Sequence, residues 1–278
     1  MIKKYLFCFL FLSLNCFGQS LIPNPPQLTA TSYLLLDAKT LKIISEDNAE
    51  QSTGLASITK IMTAYVVADQ IQKGYLSGSS LVKISEKCWR MEGSRMFIKE
   101  GTEVSVNDLM LGIIVQSGND ASCALAEHIA GSEYDFAELM NDYARQMNLK
   151  ETNFMNPTGL PDVNHYSTAE DIAKLSIKLI QDFPETYKIF SQKEFTYNEI
   201  RQLNRNSLLW QDDSIDGIKT GHTSTSGYCM VSSAKRGDMR LIAVTLNSSS
   251  EKSRLRDSRR LLDYGFRYYT TKKIISKY

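Results

Sequence analysis

Strand-like runs crowd the end of this chain after a long helical middle, and that order constrains the fold more than any other feature. "SIDGIKTGHT", "GYCMVSSAKRG" and "DMRLIAVTLN" follow one another within residues 214–247. Far upstream, "SYLLLDAKTLKIISE" reads as strand, turn and strand, with Asp37 to Thr40 supplying the turn chemistry. Between them, apolar positions at helical spacing predict helices from Ser57 to about Gln72, closed by Gly74, and over 105–116, 119–130, 133–147 and 167–181. A last helix is predicted over 253–269. Strands, many helices, strands and a final helix make an α+β pattern in which the early hairpin and the late strands share one sheet. No internal repeat, low-complexity tract or long linker interrupts it.

The N-terminus belongs to a different class of sequence. Lys3 and Lys4 precede an apolar stretch, Tyr5 to Phe17, that is short for a bilayer span, and small residues Cys16 and Gly18 sit where a signal peptidase reads. Residues 1–18 therefore read as a signal peptide cut after Gly18. Acylation of Cys16 is the weaker alternative, because Asn15 stands where a small residue is expected. Loss of 1–18 takes formal charge from +1 to −1, which gives no reason to expect nucleic acid as a partner. Cys88, Cys123 and Cys229 remain. An odd count without CxxC or Cys/His spacing argues against a disulfide framework or a zinc site, and Cys123 and Cys229, in apolar runs, are expected in the core.

Three short polar patterns interrupt the apolar helices and late strands. Ser57 and Lys60 form Ser-x-x-Lys in "ASITKIMTAYVV"; the pattern recurs at Ser232/Lys235 and Ser249/Lys252, but only the first opens an apolar helix. There, residues three apart share a face and the first backbone amides are free for an oxyanion. Ser117 and Asn119 form Ser-x-Asn in "QSGND", a glycine-containing break between helical runs. Lys219, Thr220 and Gly221 make the single Lys-Thr-Gly. The ordered triplet marks serine acyl transfer.

The chemistry accounts for the residue types. Burial of Lys60 among Ile58, Ile61 and Met62, with Lys219 as a second cation, would lower an ammonium pKa of ~10.4 and free the amine to deprotonate Ser57. Ser117 would relay a proton to the leaving group. Asn119 would hold Lys60 and orient a substrate amide. Backbone amides of Ser57 and His222 would form the oxyanion hole, and Gly221 would let substrate lie along an edge strand, its carboxylate facing Lys219 and Thr220. Taken singly, each has a plainer reading: Ser57 and Asn119 as helix caps, Lys60 as a snorkelling lysine. A histidine triad is disfavoured because Lys60 already supplies a base; His128 reads as structural and His165 as a loop or cap residue.

"ASITKIMTAYVV", "QSGNDA", "YSTAEDIA", "IRQLNRNSLLW", "DGIKTGHTSTSGY" and "LLDYGFRYY" together resemble the D-alanyl-D-alanine carboxypeptidases among the low-molecular-weight penicillin-binding proteins. The resemblance covers roughly 27–270 and implies the serine β-lactamase/DD-peptidase fold, an antiparallel sheet flanked by helices plus an all-helical region, with the site between. It implies Ser57 as nucleophile, Lys60 as base, Ser117 and Asn119 as the middle motif, and Lys219, Thr220 and His222 as the third. Arg254 matches an arginine that holds the substrate carboxylate, and Arg205 another of the family's arginines. The implied partners are peptidoglycan stem peptides and, as covalent inhibitors, β-lactam antibiotics; no metal or cofactor is implied. Relatives commonly continue into a small β domain and an amphipathic anchor. The tail 271–278 is too short for either, which leaves membrane association open. Rival readings are a DD-endopeptidase, a serine β-lactamase and a non-enzymatic penicillin-sensing or wall-binding module. A β-lactamase of the glutamate type needs Glu-x-x-Leu-Asn in a loop; "ELMN" at 138–141 has the wrong spacing and falls in a predicted helix.

Overall fold

A computed structural model describes residues 22–272. The predicted signal segment 1–18 and residues 273–278 of the tail lie outside the described residues. The chain opens with β1 (Ser32–Asp37) and β2 (Ile43–Asp47), then α1 (Lys60–Gln72), β3 (Leu81–Lys83) and α2 (Glu86–Trp89). Next come β4 (Glu103–Ser105), α3 (Val106–Leu111), α4 (Asn119–Ala130), α5 (Glu133–Gln146), α6 (Ala169–Asp182) and α7 (Pro184–Tyr187). A hairpin of β5 (Glu194–Tyr197) and β6 (Ile200–Leu203) precedes β7 (Ile215–Thr223), β8 (Gly227–Arg236), β9 (Met239–Ser248) and α8 (Glu251–Tyr268).

The sheet has the order β2-β1-β9-β8-β7 with every neighbour antiparallel, so the early hairpin and the late strands do share it. Successive side chains of a strand face opposite ways. In β1, Leu34 and Leu36 join the core with Ile242 and Val244, against α1 and α6, while Leu35 joins Leu241 and Ala243 against Leu261 and Leu262 of α8. Both faces are covered, which is why β1 is buried along its whole length. Helix α1 is the hub of the helical region. Every residue from Lys60 to Ala68 is buried, so the helix is apolar all round rather than amphipathic. It ends at Gly74, whose φ of +76° suits glycine.

Side-chain caps set several helix starts. Ser132 Oγ accepts from Asp135 N at 3.0 Å and Ser250 Oγ from Ser253 N at 3.1 Å, so α8 begins at Glu251, two residues ahead of the sequence expectation. The helix expected over 105–116 is two structures. After Leu111 it widens into a π-helical turn, Gly112–Gln116, and ends at Ser117 in the left-handed conformation, φ 66° and ψ 35°. Such turns concentrate at functional sites. The two short antiparallel pairs have no counterpart in the sequence reading: β3–β4, which brackets α2, and the β5–β6 hairpin, which turns on Asn198 and Glu199, both with positive φ.

The cysteine expectation needs correction. Cys88 of α2 and Cys123 of α4 are disulfide-bonded, and Cys229 is the buried free thiol. An odd count does not exclude a disulfide: two cysteines 35 residues apart pair, and the third stays in the sheet core as expected. The closed loop predicts about 3–4 kcal/mol of stabilisation. Cys88→Ser together with Cys123→Ser should lower the melting temperature by about 10 °C in calorimetry; an unchanged midpoint would show that the bond constrains little.

Candidate active site

Ser57 lies in a short 3₁₀ turn, Ala56–Thr59, that runs into α1. Ala56, just before it, takes a left-handed φ of 49°. A non-glycine residue held there costs on the order of 1 kcal/mol and persists only where its surroundings fix it. Two glycines fix it. A Cβ on Gly159 would stand 1.8 Å from the Ala56 carbonyl oxygen, and one on Gly221 would stand 2.9 Å from the Leu55 carbonyl oxygen and 3.0 Å from Ser57 N. The turn is therefore wedged between the 155–166 loop and the free edge of β7, with the Ser57 amide beside the strand one residue from His222.

Lys60 is fully buried, and its Nζ has three neighbours: Asn119 Oδ1 at 2.7 Å, the Thr158 carbonyl at 2.6 Å and Ser57 Oγ at 3.1 Å. Two of these are carbonyl-type oxygens that only accept. A neutral amine has two hydrogens and one lone pair. The two acceptors take the hydrogens, and the lone pair is left facing the one neighbour able to donate, the Ser57 hydroxyl. Burial lowers the Lys60 pKa to about 7, opposed in part by the Asp120 carboxylate. The amine is thus available near neutrality, with burial as the largest cause.

Lys219, also buried, donates to Ser117 Oγ at 2.8 Å and to its neighbour's carbonyl, Thr220 O, at 3.2 Å. Burial pushes its pKa well below the usual value, and the charges of Lys60, Arg254 and Arg205 add to the effect. Ser117 bonds to Lys219; among the described residues no hydrogen bond joins it to Lys60. Thr220 is buried and Gly221 passes beside Ser57, as the edge-strand expectation requires, while the His222 ring is exposed and stacks on Tyr228 at 4.0 Å. Arg254, which the resemblance makes a holder of the substrate carboxylate, is 6 % exposed. Its Nη1 donates to the Gly221 carbonyl at 3.1 Å and its Nη2 meets Glu251 at 3.0 Å, while its buried Nε has no hydrogen-bond partner. Arg205 is exposed at the mouth of the site.

Several groups that hold this geometry carry no motif. Asp120 accepts backbone N–H bonds from Met96 (3.0 Å), Phe97 (2.9 Å), Ile98 (3.3 Å) and Ala121 (2.9 Å), which ties the 92–98 segment to the start of α4. Asn119 Nδ2 donates to the Glu92 carbonyl at 2.7 Å, so one amide hydrogen remains for a substrate. His165 Nδ1 accepts from Met155 N at 3.2 Å, which leaves Nε2–H to donate to Thr59 Oγ1 at 2.7 Å. Burial drops its pKa to about 4, so it stays neutral and braces the loop against the turn. His128 is exposed in the last turn of α4. The carbonyl of Thr158 could not be read from side-chain motifs because the backbone supplies it.

The family model described as D-alanyl-D-alanine carboxypeptidase matches residues 19–250. The D-alanyl-D-alanine carboxypeptidase DacA of Haemophilus influenzae is 46% identical over 257 residues, 91% of this chain and 65% of that protein. The crystal structure of penicillin binding protein 5 from the same organism superposes with a TM-score of 0.86 at 46% identity, covering 88% of this chain and 73% of that one. Penicillin-binding protein D2 from Listeria monocytogenes, in its ampicillin-bound form, superposes at 0.81 with 29% identity, covering 88% of this chain and 100% of that one.

Fold and cluster thus define the serine β-lactamase/DD-peptidase class. Within it, the chain belongs to the D-alanyl-D-alanine carboxypeptidase family. It spans slightly less than two thirds, 65%, of the length of the DacA relative.

Proposed function

We propose that the protein is a serine-type D-Ala–D-Ala carboxypeptidase that trims the terminal D-alanine from peptidoglycan stem pentapeptides. The observation that carries this reading is the buried Lys60 Nζ lying 3.1 Å from Ser57 Oγ while two pure acceptors, Asn119 Oδ1 and the Thr158 carbonyl, hold it at 2.7 and 2.6 Å. Lys60 takes the Ser57 proton as Oγ attacks the carbonyl of the penultimate D-alanine. The amides of Ser57 and His222 hold the oxyanion. The proton taken up by Lys60 is handed on through the Ser117 hydroxyl, set against Lys219, to the departing D-alanine nitrogen, which returns Lys60 to the neutral amine for the water step; Arg254 and Thr220 hold the leaving carboxylate near Lys219. Asn119 orients the acyl amide, and Gly221 lets the stem lie along β7. Water then attacks the Ser57 ester and frees a tetrapeptide.

The same serine would be acylated by β-lactams, in line with the ampicillin-bound relative. The family match begins at residue 19, directly after the cleavage proposed at Gly18, which supports residues 1–18 as an export signal, 27–270 as the catalytic domain and the bacterial cell envelope as its place. Among the described residues no helix is long and apolar enough to cross a membrane.

The reading is tested by free D-alanine released from a stem pentapeptide, for wild type beside Ser57→Ala. Release by wild type alone supports the carboxypeptidase. Penicillin labelling of Ser57 without release from the pentapeptide would point instead to an endopeptidase or a sensor.

A further inference from the structure

A cavity of about 430 Å³ lies between the Ser52–Gly54 segment, the loop 161–166 and the β7–β8 turn at Thr225. Its walls are preformed. Thr53 and Ser167 exchange both backbone hydrogen bonds (2.9 and 3.0 Å), as do Asn153 and Tyr166. Gly54 packs on Ser226, where a Cβ would stand 2.6 Å from Oγ. One wall ends three residues before Ser57 and another begins three residues after His222. Three residues of chain reach at most about 10 Å, so the cavity opens close to the acyl carbon.

Its chemistry is one-sided. Asp162 supplies a carboxylate whose Oδ1 accepts from Asn164 N at 2.8 Å; its other oxygen takes no hydrogen bond and the side chain no ion pair from the described residues. The lining contains no lysine or arginine, and its histidine, His165, is the neutral brace described above. Val163 beside it is 95% exposed, an apolar surface next to the carboxylate. A ligand with an aliphatic stem ending in a cation matches both features.

The direction of the substrate says which part of it arrives there. The leaving nitrogen lies on the Ser117 and Lys219 side, so the acyl half of the stem must run the other way along the free edge of β7, toward Thr225. One residue step along an extended chain is about 3.3 Å. The residue preceding the acylated D-alanine is the first of the acyl half to follow that edge toward the cavity.

We propose that this cavity is a subsite for the third residue of the stem and that Asp162 selects a side-chain ammonium there, as in a diamino acid. The proposal rests on the carboxypeptidase reading. It is tested with two stem pentapeptides identical except for lysine or norleucine at position three, assayed for D-alanine release at low ionic strength with wild type and Asp162→Asn. Asparagine keeps the oxygen that accepts from Asn164 N, so the loop retains its turn. Wild type is expected to favour the lysine stem about fivefold in kcat/KM, as a partly exposed ion pair allows. The ratio should shrink as salt is added and fall to about 1 in Asp162→Asn. Equal use of both stems by wild type, or an unchanged ratio in the variant, would overturn the subsite. Release from neither stem by wild type would overturn the carboxypeptidase reading and the subsite with it, an outcome distinct from equal use.

Discussion

Lys60→Ala should slow acylation of Ser57 by penicillin about 10³-fold, within the range that a positioned general base contributes, with the fold intact. The variant removes a buried amine whose partners, Asn119 Oδ1 and the Thr158 carbonyl, are themselves held by α4 and by the 155–166 loop. The pH dependence separates a base from a spacer. In the folded enzyme Lys60 titrates at about 7, below its ordinary value of 10.5, because burial penalises the ammonium. The lone pair exists only above that point. Wild-type acylation should therefore fall about tenfold for each pH unit below about 7 and level off above it. In Lys60→Ala that limb should vanish, leaving a low, flatter profile. Stopped-flow measurement of penicillin acylation from pH 5 to 9 reads both. A wild-type profile that is flat through 7 would mean that Lys60 is not the group losing the proton.

Gly159→Ala should be nearly as damaging, although the residue touches no substrate. Its φ of +82° is unfavourable for alanine, and the new methyl would stand 1.8 Å from the backbone oxygen of Ala56, which cannot swing aside. The loop must move, and the Thr158 carbonyl moves with it, away from Lys60. A shift of about 1 Å in such a support lowers the rate about 10²-fold, and the strained contact costs about 3 kcal/mol of stability. Gly74→Ala is the control. Its φ is similarly positive at +76°, but nothing lies within 4 Å, so it should lose only about 1 kcal/mol and acylate normally. Equal effects of the two substitutions on acylation would show that backbone conformation alone, not the contact with Ala56, is what matters.

The residues proposed to carry the chemistry were legible in the sequence because each is a side chain in a short pattern. Ser57, Lys60, Ser117, Asn119 and Lys219 meet as the spacing implied. The shared sheet was legible from the order of elements, an early strand pair and three late strands around a helical middle. Four things escaped. The Thr158 carbonyl is present in every residue type, so nothing in the letters distinguishes it. Asp120 belongs to no motif, and what distinguishes it is the convergence of four backbone amides on its carboxylate. The Cys88–Cys123 pair was hidden by parity, since a count of three says only that at least one thiol is left over. The π-helical turn before Ser117 was read as plain helix because its apolar spacing over four or five residues does not differ from that of an α-helix.

The pairing of β1 with β9 has a consequence for the order in which the molecule forms. Ser32 sits opposite Leu246, and the register holds from there to Asp37 and Leu241. Few contacts in a chain of this length are less local, and closing so long a loop is slow whatever its reward. The first strand is made early in synthesis and waits, with only β2 beside it, until nearly the whole chain has emerged. Helix α1 waits as well, because it packs on one face of that same sheet. Folding is therefore governed by the last strands to become available, and a chain ending before Met239 holds every residue of the proposed acylation cluster except Arg254 without the strand that locks the sheet together.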